Sequence, residues 1–254
     1  MADRLLLILF LVSYLFVSGV TSRNITIENK CNYTIWPGIL SGGLGPPTGG
    51  FALKKGEARV INVPSGWSGR FWGRSLCSTN STGGFSCATG DCGSGKVECT
   101  GGGTPPVTLA EFTIDSNGGQ DFYDVSLVDG YNLPMVVVPQ GDETCSTVGC
   151  VNDLNPTCPD ELRVRGNTSL MTLATPIIAC TSPCEAFNSS EYCCTGAYST
   201  PQTCVPTDYS RVFKRACPRA YSYAYDDSNS TFTCASQPNY VITFCPSSAL
   251  NTTK

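Results

Sequence analysis

The chain contains no histidine and few charges, with only 14% of its 254 residues being Asp, Glu, Lys or Arg. Without histidine there is no Ser-His or Cys-His nucleophile pair and no metal site of two histidines and a carboxylate. There is also no Cys-x-x-Cys spacing, so a zinc site lacks its usual ligands and no metal or other cofactor is expected. Beyond the first twenty-odd residues, no apolar run approaches the ~20 residues of a membrane span. Sixteen Lys and Arg stand against twenty Asp and Glu, for a formal net charge of −4. That balance disfavours nucleic acid and anionic membranes as partners reached by bulk charge. The chemistry left is that of carboxylates, or binding.

What the chain has in abundance is cysteine, glycine and proline: 16, 26 and 17 residues. The length allows one large or two modest domains. Residues 1–22 read as a secretory signal peptide. A short Met1-Ala-Asp-Arg start precedes an apolar stretch over residues 5–17, and Val20 and Ser22 suit the −3 and −1 positions of a cleavage site. Every cysteine follows this segment. An even number in an oxidising compartment implies eight disulfides, each worth roughly 2–4 kcal/mol. Sixteen cysteines allow about two million pairings. The short intervals 77–87 and 92–99 favour local loops, and adjacent Cys193 and Cys194 need separate partners. The expected product is secreted and extracellular (apoplastic), with a polar tail at 246–254 and no transmembrane anchor. Asn24, Asn32, Asn80, Asn167, Asn188, Asn229 and Asn251 stand in Asn-x-Ser/Thr sequons and are candidate glycan acceptors.

Alternating apolar and polar residues predict strands at 24–30, 33–36, 58–63, 69–74, 107–114, 121–128, 133–138, 230–234 and 240–245. Pro37-Gly38 is expected to end the second of these, Asn117-Gly-Gly to make a hairpin, and the first and last strands to flank the molecule. Short strands with frequent turns indicate an antiparallel sandwich or barrel. Residues 83–99, with three cysteines and five glycines, are expected to be neither helix nor ordinary strand, only a stapled loop. Residues 145–217 hold nine cysteines and little alternation. Within them 159–164 opens a short helix, and 208–216 forms a longer one with Asp208 as its cap and an apolar stripe at Tyr209, Val212 and Phe213.

The acids that stand out are Glu111, Asp121, Asp124, Asp129, Asp226 and Asp227. In the strand 107–114, Glu111 shares a face with Leu109 and Thr113, away from the more apolar side. Asp124 shares a face with Phe122, Ser126 and Val128. Asp129 joins them only if the chain bends at Asp129-Gly130. Each acid on its own also fits a solvated strand or turn position. Two converging beside Arg70 would fit glycoside chemistry, which needs two carboxylates roughly 5–9.5 Å apart.

Residues 83–99, Gly-Gly-Phe-Ser-Cys-Ala-Thr-Gly-Asp-Cys-Gly-Ser-Gly-Lys-Val-Glu-Cys, resemble the signature of the thaumatin-like protein family, the plant pathogenesis-related proteins of osmotin and zeamatin type. So do the blocks Arg70-Phe-Trp-Gly-Arg, Thr108-Leu-Ala-Glu-Phe, Asp121-Phe-Tyr-Asp-Val-Ser-Leu-Val-Asp-Gly-Tyr-Asn, Cys158-Pro-Asp-Glu-Leu-Arg, Glu191-Tyr-Cys-Cys and Cys217-Pro-Arg-Ala-Tyr-Ser-Tyr. The resemblance covers residues 23–245. It implies a mainly β fold: a flattened antiparallel β-sandwich (23–74, 107–150 and 218–245), a small disulfide-looped domain (75–106) and a disulfide-rich domain with short helices (151–217). It also implies the pairs Cys31–Cys245, Cys77–Cys87, Cys92–Cys99, Cys145–Cys234, Cys150–Cys217, Cys158–Cys180, Cys184–Cys193 and Cys194–Cys204. The stretch between Cys158 and Cys180 is longer than in compact members and is expected to reshape a cleft rim.

By the same resemblance, an acidic cleft falls on Arg70, Glu111, Asp124, Asp129 and one of Asp226 or Asp227. Function then reads as a secreted, monomeric antifungal protein that binds β-1,3-glucan, with fungal cell-surface components as further partners, and perturbs the wall or membrane. Phe71, Trp72, Tyr123 and Tyr131 are candidate sugar-stacking rings, although core packing competes for each. An alternative is a weak endo-β-1,3-glucanase with Glu111 as proton donor and Asp124 as partner carboxylate. Two further readings are a stress-induced extracellular protein without glucan activity and a receptor ectodomain. The expected polar tail, with no span, argues against the last.

Overall fold

The structure is a computed structural model that describes residues 22–116, 118–166 and 175–247. The candidate glycan acceptors Asn167 and Asn251, most of the expected signal peptide and part of the long 158–180 stretch lie outside these residues.

Two sheets form the body. The first contains β1 (Ser22–Asn29), β3 (Ala58–Pro64), β8 (Met135–Gln140), β9 (Val148–Cys150) and β13 (Asn239–Phe244), in the order β3-β1-β13-β8-β9. The second contains β2 (Trp36–Ser41), β4 (Ser68–Thr79), β6 (Leu109–Ser116), β7 (Gln120–Ser126) and β12 (Phe232–Cys234), in the order β12-β7-β6-β4-β2, with β5 (Phe85–Thr89) paired to β4. Period-two alternation aims one face of each strand inward. Ile25 and Ile27 of β1, Val137 of β8, and Tyr240 and Ile242 of β13 meet Phe71 of β4, Ala110 and Phe112 of β6, and Tyr123 of β7 in one buried core. Rings of Phe112, Tyr123 and Tyr240 lie 5.2–6.4 Å apart within it. At its edge buried Asp121 pairs with Arg23 at 3.5 Å and accepts from Tyr240 Oη at 2.9 Å.

Several expectations need correction. The first and last strands do not flank the molecule: β1 and β13 are parallel neighbours inside the first sheet, Ile25 opposite Tyr240 and Asn29 opposite Phe244. Pro37-Gly38 does not end a strand but sits inside β2. This is an edge position, where proline's missing N–H costs nothing. Gly38 is required there because a Cβ would stand 2.4 Å from the Trp72 ring. The glycine-rich 83–99 stretch contains a true strand. β4 overshoots the sandwich and pairs with β5, with Cys77 opposite Cys87, and a Ser75–Thr89 hydroxyl contact of 2.7 Å supports the pairing. Cross-strand bonding offsets the weak local propensity of the segment.

This hairpin is anchored by Arg74, which is fully buried. Its guanidinium donates to the carbonyls of Trp36 (2.9 Å) and Val97 and lies 5.5 Å from the Phe85 ring centroid.

Residues 151–217 carry more structure than their pattern suggested. β10 (Arg163–Arg165) pairs with β11 (Ile177–Cys180), and two short helices, α1 (Pro183–Phe187) and α2 (Ser190–Cys193), follow. The expected helix at 159–164 is a single 3-10 turn at Asp160–Leu162 leading into β10. Helix α3 (Asp208–Ala216) forms as expected, but its cap is Thr207. Thr207 Oγ1 accepts from Ser210 N, and Ser210 Oγ accepts from Thr207 N, which closes a capping box.

The sixteen cysteines pair as Cys31–Cys245, Cys77–Cys87, Cys92–Cys99, Cys145–Cys234, Cys150–Cys217, Cys158–Cys180, Cys184–Cys193 and Cys194–Cys204. These are the eight bridges that the resemblance implies. Among the described residues no helix is long and apolar enough to cross a membrane.

Candidate functional site

Arg70 on β4, Glu111 on β6 and Asp124 on β7 stand opposite one another across three neighbouring strands. Residues directly opposed in an antiparallel pair have Cβ atoms roughly 4.5–5.5 Å apart. The three heads thus form a row on the outward face of the second sheet: one cation, then two carboxylates side by side.

The row is electrically lopsided. Burial pushes the Glu111 carboxyl above its ordinary range, Arg70 pulls it back, and Asp129 adds to the rise. Asp124 has no cation opposite. Burial, then Glu111, then Asp227 push it up to about 8. Its Oδ2 is buried and has no hydrogen-bond partner among the described residues. At neutral pH Asp124 therefore keeps a proton.

Asp129 reaches the row because the chain leaves β7 in a tight turn. Gly130 N donates to Leu127 O at 2.9 Å, and Val107 N donates to Asp129 O at 3.0 Å. Gly130 has φ +89°, and a Cβ there would come within 2.8 Å of both Pro106 and the Cys180 carbonyl, so only glycine fits the bend. The two candidate acids that follow part company. Asp226 is buried, accepts from Ser222 N and Oγ, and pairs with Lys214 of α3 at 2.9 Å. Asp227 faces outward and accepts from Tyr221 Oη at 2.7 Å. Lys214 also donates to Ala220 O and Ser230 Oγ, which fixes the segment carrying Tyr221 and Asp227.

Two hollows meet at the row and share Arg70, Glu111 and Asp124. One, of about 400 Å³, runs over Leu40, Ser68, Thr113 and Phe122. The other, of about 340 Å³, runs over Val128, Asp129, Tyr221 and Asp227. Together they make a groove with the carboxylates at its saddle.

The aromatic candidates Phe71, Trp72, Tyr123 and Tyr131 are all buried in the body, at 0–1% exposure, and cannot stack on a ligand. The rings that line the groove and are only half-buried are Phe122 and Tyr221, while buried Phe112 lies beneath. Phe122 was legible from its alternation with Asp124, whereas nothing local in the sequence marks Tyr221. Of the described sequons, Asn24, Asn32, Asn80, Asn188 and Asn229 are exposed. Among the described residues, the acid and sulfur group close enough to hold a metal is Asp142, Cys145 and Cys234, and both sulfurs belong to one disulfide.

The thaumatin family model matches residues 29–246. A PR5-like receptor kinase of Arabidopsis thaliana is 61% identical over 94% of this chain, which spans only 36% of that relative's length. A glucan endo-1,3-beta-glucosidase of Prunus avium is 49% identical over 92% of this chain and 95% of its own. Among solved structures, a laminaripentaose-producing beta-1,3-glucanase in complex with laminaritetraose shares the fold at a TM-score of 0.56. It has 14% identity, over 89% of this chain and 99% of the other.

Proposed function

The chain belongs to the thaumatin family, and from that premise we propose that it is a secreted plant defence protein that binds β-1,3-glucan in the groove over Arg70, Glu111 and Asp124. The observation that carries the reading is the groove itself. Carboxylates at its saddle can accept hydroxyl hydrogen bonds, and Phe122 lines one half and Tyr221 the other, rings of the kind that pack against sugars. Asp129 and Asp227 extend the acceptor row, while Asp226 acts from behind as a structural anchor. Eight disulfides suit an oxidising, extracellular compartment. On a fungal wall, such binding would hold the protein where it can perturb wall or membrane. Within a longer receptor kinase the same groove would serve as a ligand-sensing portion.

The lopsided row favours a second reading on the same site, slow hydrolysis of the glucan. A glycosidase needs one protonated and one ionised carboxyl. Asp124, pushed up to about 8, would donate to the leaving oxygen, and Glu111, opposite Arg70, would be the base or nucleophile. This reverses the assignment that the resemblance implies.

Pull-down on insoluble β-1,3-glucan, together with reducing-end release from laminarin, tests both. Binding is expected for the wild type and is expected to weaken in Asp129→Asn. Reducing ends are expected to vanish in Glu111→Gln. Unchanged pull-down in Asp129→Asn removes that residue from the groove, and equal release by wild type and Glu111→Gln refutes hydrolysis at this site.

A further inference from the structure

A second surface lies beyond the groove, on the disulfide-held helices. Phe187 at the end of α1, Tyr192 of α2 and Tyr209 of α3 meet in a ring cluster with centroids 5.2–5.7 Å apart. Phe187 is 39% exposed, and nearby Val205 is 58% exposed. Tyr192, Val205, Pro206 and Tyr209 line an open hollow of about 560 Å³, larger than either half of the acid groove. Its polar groups are mixed: Tyr209 Oη donates to Glu161 at 2.6 Å, and Arg211 pairs with Asp208 at 2.8 Å.

The hollow neighbours the acid groove without opening into it. A narrow recess of about 20 Å³ lies between them. Val128 lines both this recess and the Asp129 half of the groove, while Glu191, Tyr192, Val205 and Thr207 line both the recess and the aromatic hollow. We propose that a β-1,3-glucan chain seated over Glu111 and Asp124 continues past Val128 onto the Tyr192–Tyr209 surface, which is a second glucan-binding site. The proposal rests on the glucan reading of the groove.

The chemistry favours sugar over a basic polypeptide. A sugar presents C–H faces to rings and hydroxyls that both donate and accept, and this surface offers rings edged by carboxylates, phenols and a guanidinium. With Arg211 paired to Asp208, Glu161 and Glu191 leave the lining net acidic, so a polybasic chain is the competing occupant that the experiment separates.

The experiment compares affinities for long laminarin and for a β-1,3-linked glucose tetrasaccharide by calorimetry, in wild type, Tyr192→Ala and Val205→Arg. Val205→Arg blocks the hollow without removing a packed ring, and near-UV dichroism checks the fold of each variant. The wild type is expected to favour the long glucan. Losing one ring contact should weaken it about threefold to tenfold, with tetrasaccharide affinity unchanged and Tyr192→Phe restoring the wild-type ratio. If both folded variants keep the wild-type preference for long glucan, the second site is refuted while the groove reading stands. If wild type binds no glucan of either length, both readings fall together. Tyr192-dependent binding of polylysine without any effect on laminarin would overturn the sugar assignment alone.

Discussion

Replacing Asp124 by asparagine is expected to stabilise the protein, and the gain should depend on pH. In the unfolded chain an aspartate loses its proton near 3.8, whereas in the fold Asp124 keeps it to about 8. Between those two values the unfolded state has released a proton that the native state still binds, so stability falls as pH rises, and it levels off above about 8. Each pH unit across that window contributes about 1.4 kcal/mol. At pH 7 the cost of Asp124 is therefore on the order of 4 kcal/mol, and at pH 3 it is close to nil. Asparagine is nearly isosteric and carries no charge to desolvate, so Asp124→Asn should recover much of that difference at pH 7 and little at pH 3. Trp67 and Trp72 are fully buried reporters, so guanidinium unfolding followed by tryptophan fluorescence at pH 3, 5, 7 and 9 reads the effect. A gain that is the same at pH 3 and pH 7, or a loss at pH 7, would refute the account of a strained, proton-holding carboxyl. The same variant removes the proposed acid. A more stable protein that no longer releases reducing ends would show stability given up for chemistry at this one residue.

Arg74→Met should unlock the β4–β5 hairpin, because it leaves part-buried carbonyls at Trp36 and Val97 without their donor. The expected loss is at least about 3 kcal/mol, with proteolytic nicking near residues 80–84 as a second readout. Wild-type stability and protease resistance would show that the loop needs only its two disulfides. Converting Cys31 and Cys245 together to serine opens a link across 214 residues. By loop-closure entropy the expected cost is about 5 kcal/mol, measured as a lowered unfolding midpoint.

What could be read from the chain follows the length of its regular signals. β1, β3, β6 and β13 are half-buried strands, and Ile25, Ile27, Ile61, Val63, Phe112, Ile114, Tyr240 and Ile242 alternate with outward residues as period two requires. Glu111 and Asp124 were legible as candidates because each alternates against an apolar face. The choice between Asp226 and Asp227 was not, because it depends on Lys214 of α3 capturing one of two adjacent carboxylates. Helices α1 and α2 are one turn each and are joined by Cys184–Cys193, too short to show a period. β5 escaped for the same reason: its strand is imposed by β4 and a disulfide, against its own glycine-rich context.

The parallel pairing of β1 with β13 bears on how the chain acquires its shape during synthesis. β13 lies between β1 and β8, so the β1–β3 pair and the β8–β9 pair have no strand to join them within the sheet until residues 239–244 have left the ribosome. Until then β1 and β8 lack the in-sheet neighbour that lies between them. Pairings this distant in sequence are slow to form and leave sticky intermediates. The molecule should therefore become protease-resistant in a single late step, with its disulfides closing around a sheet whose inner strand arrives last.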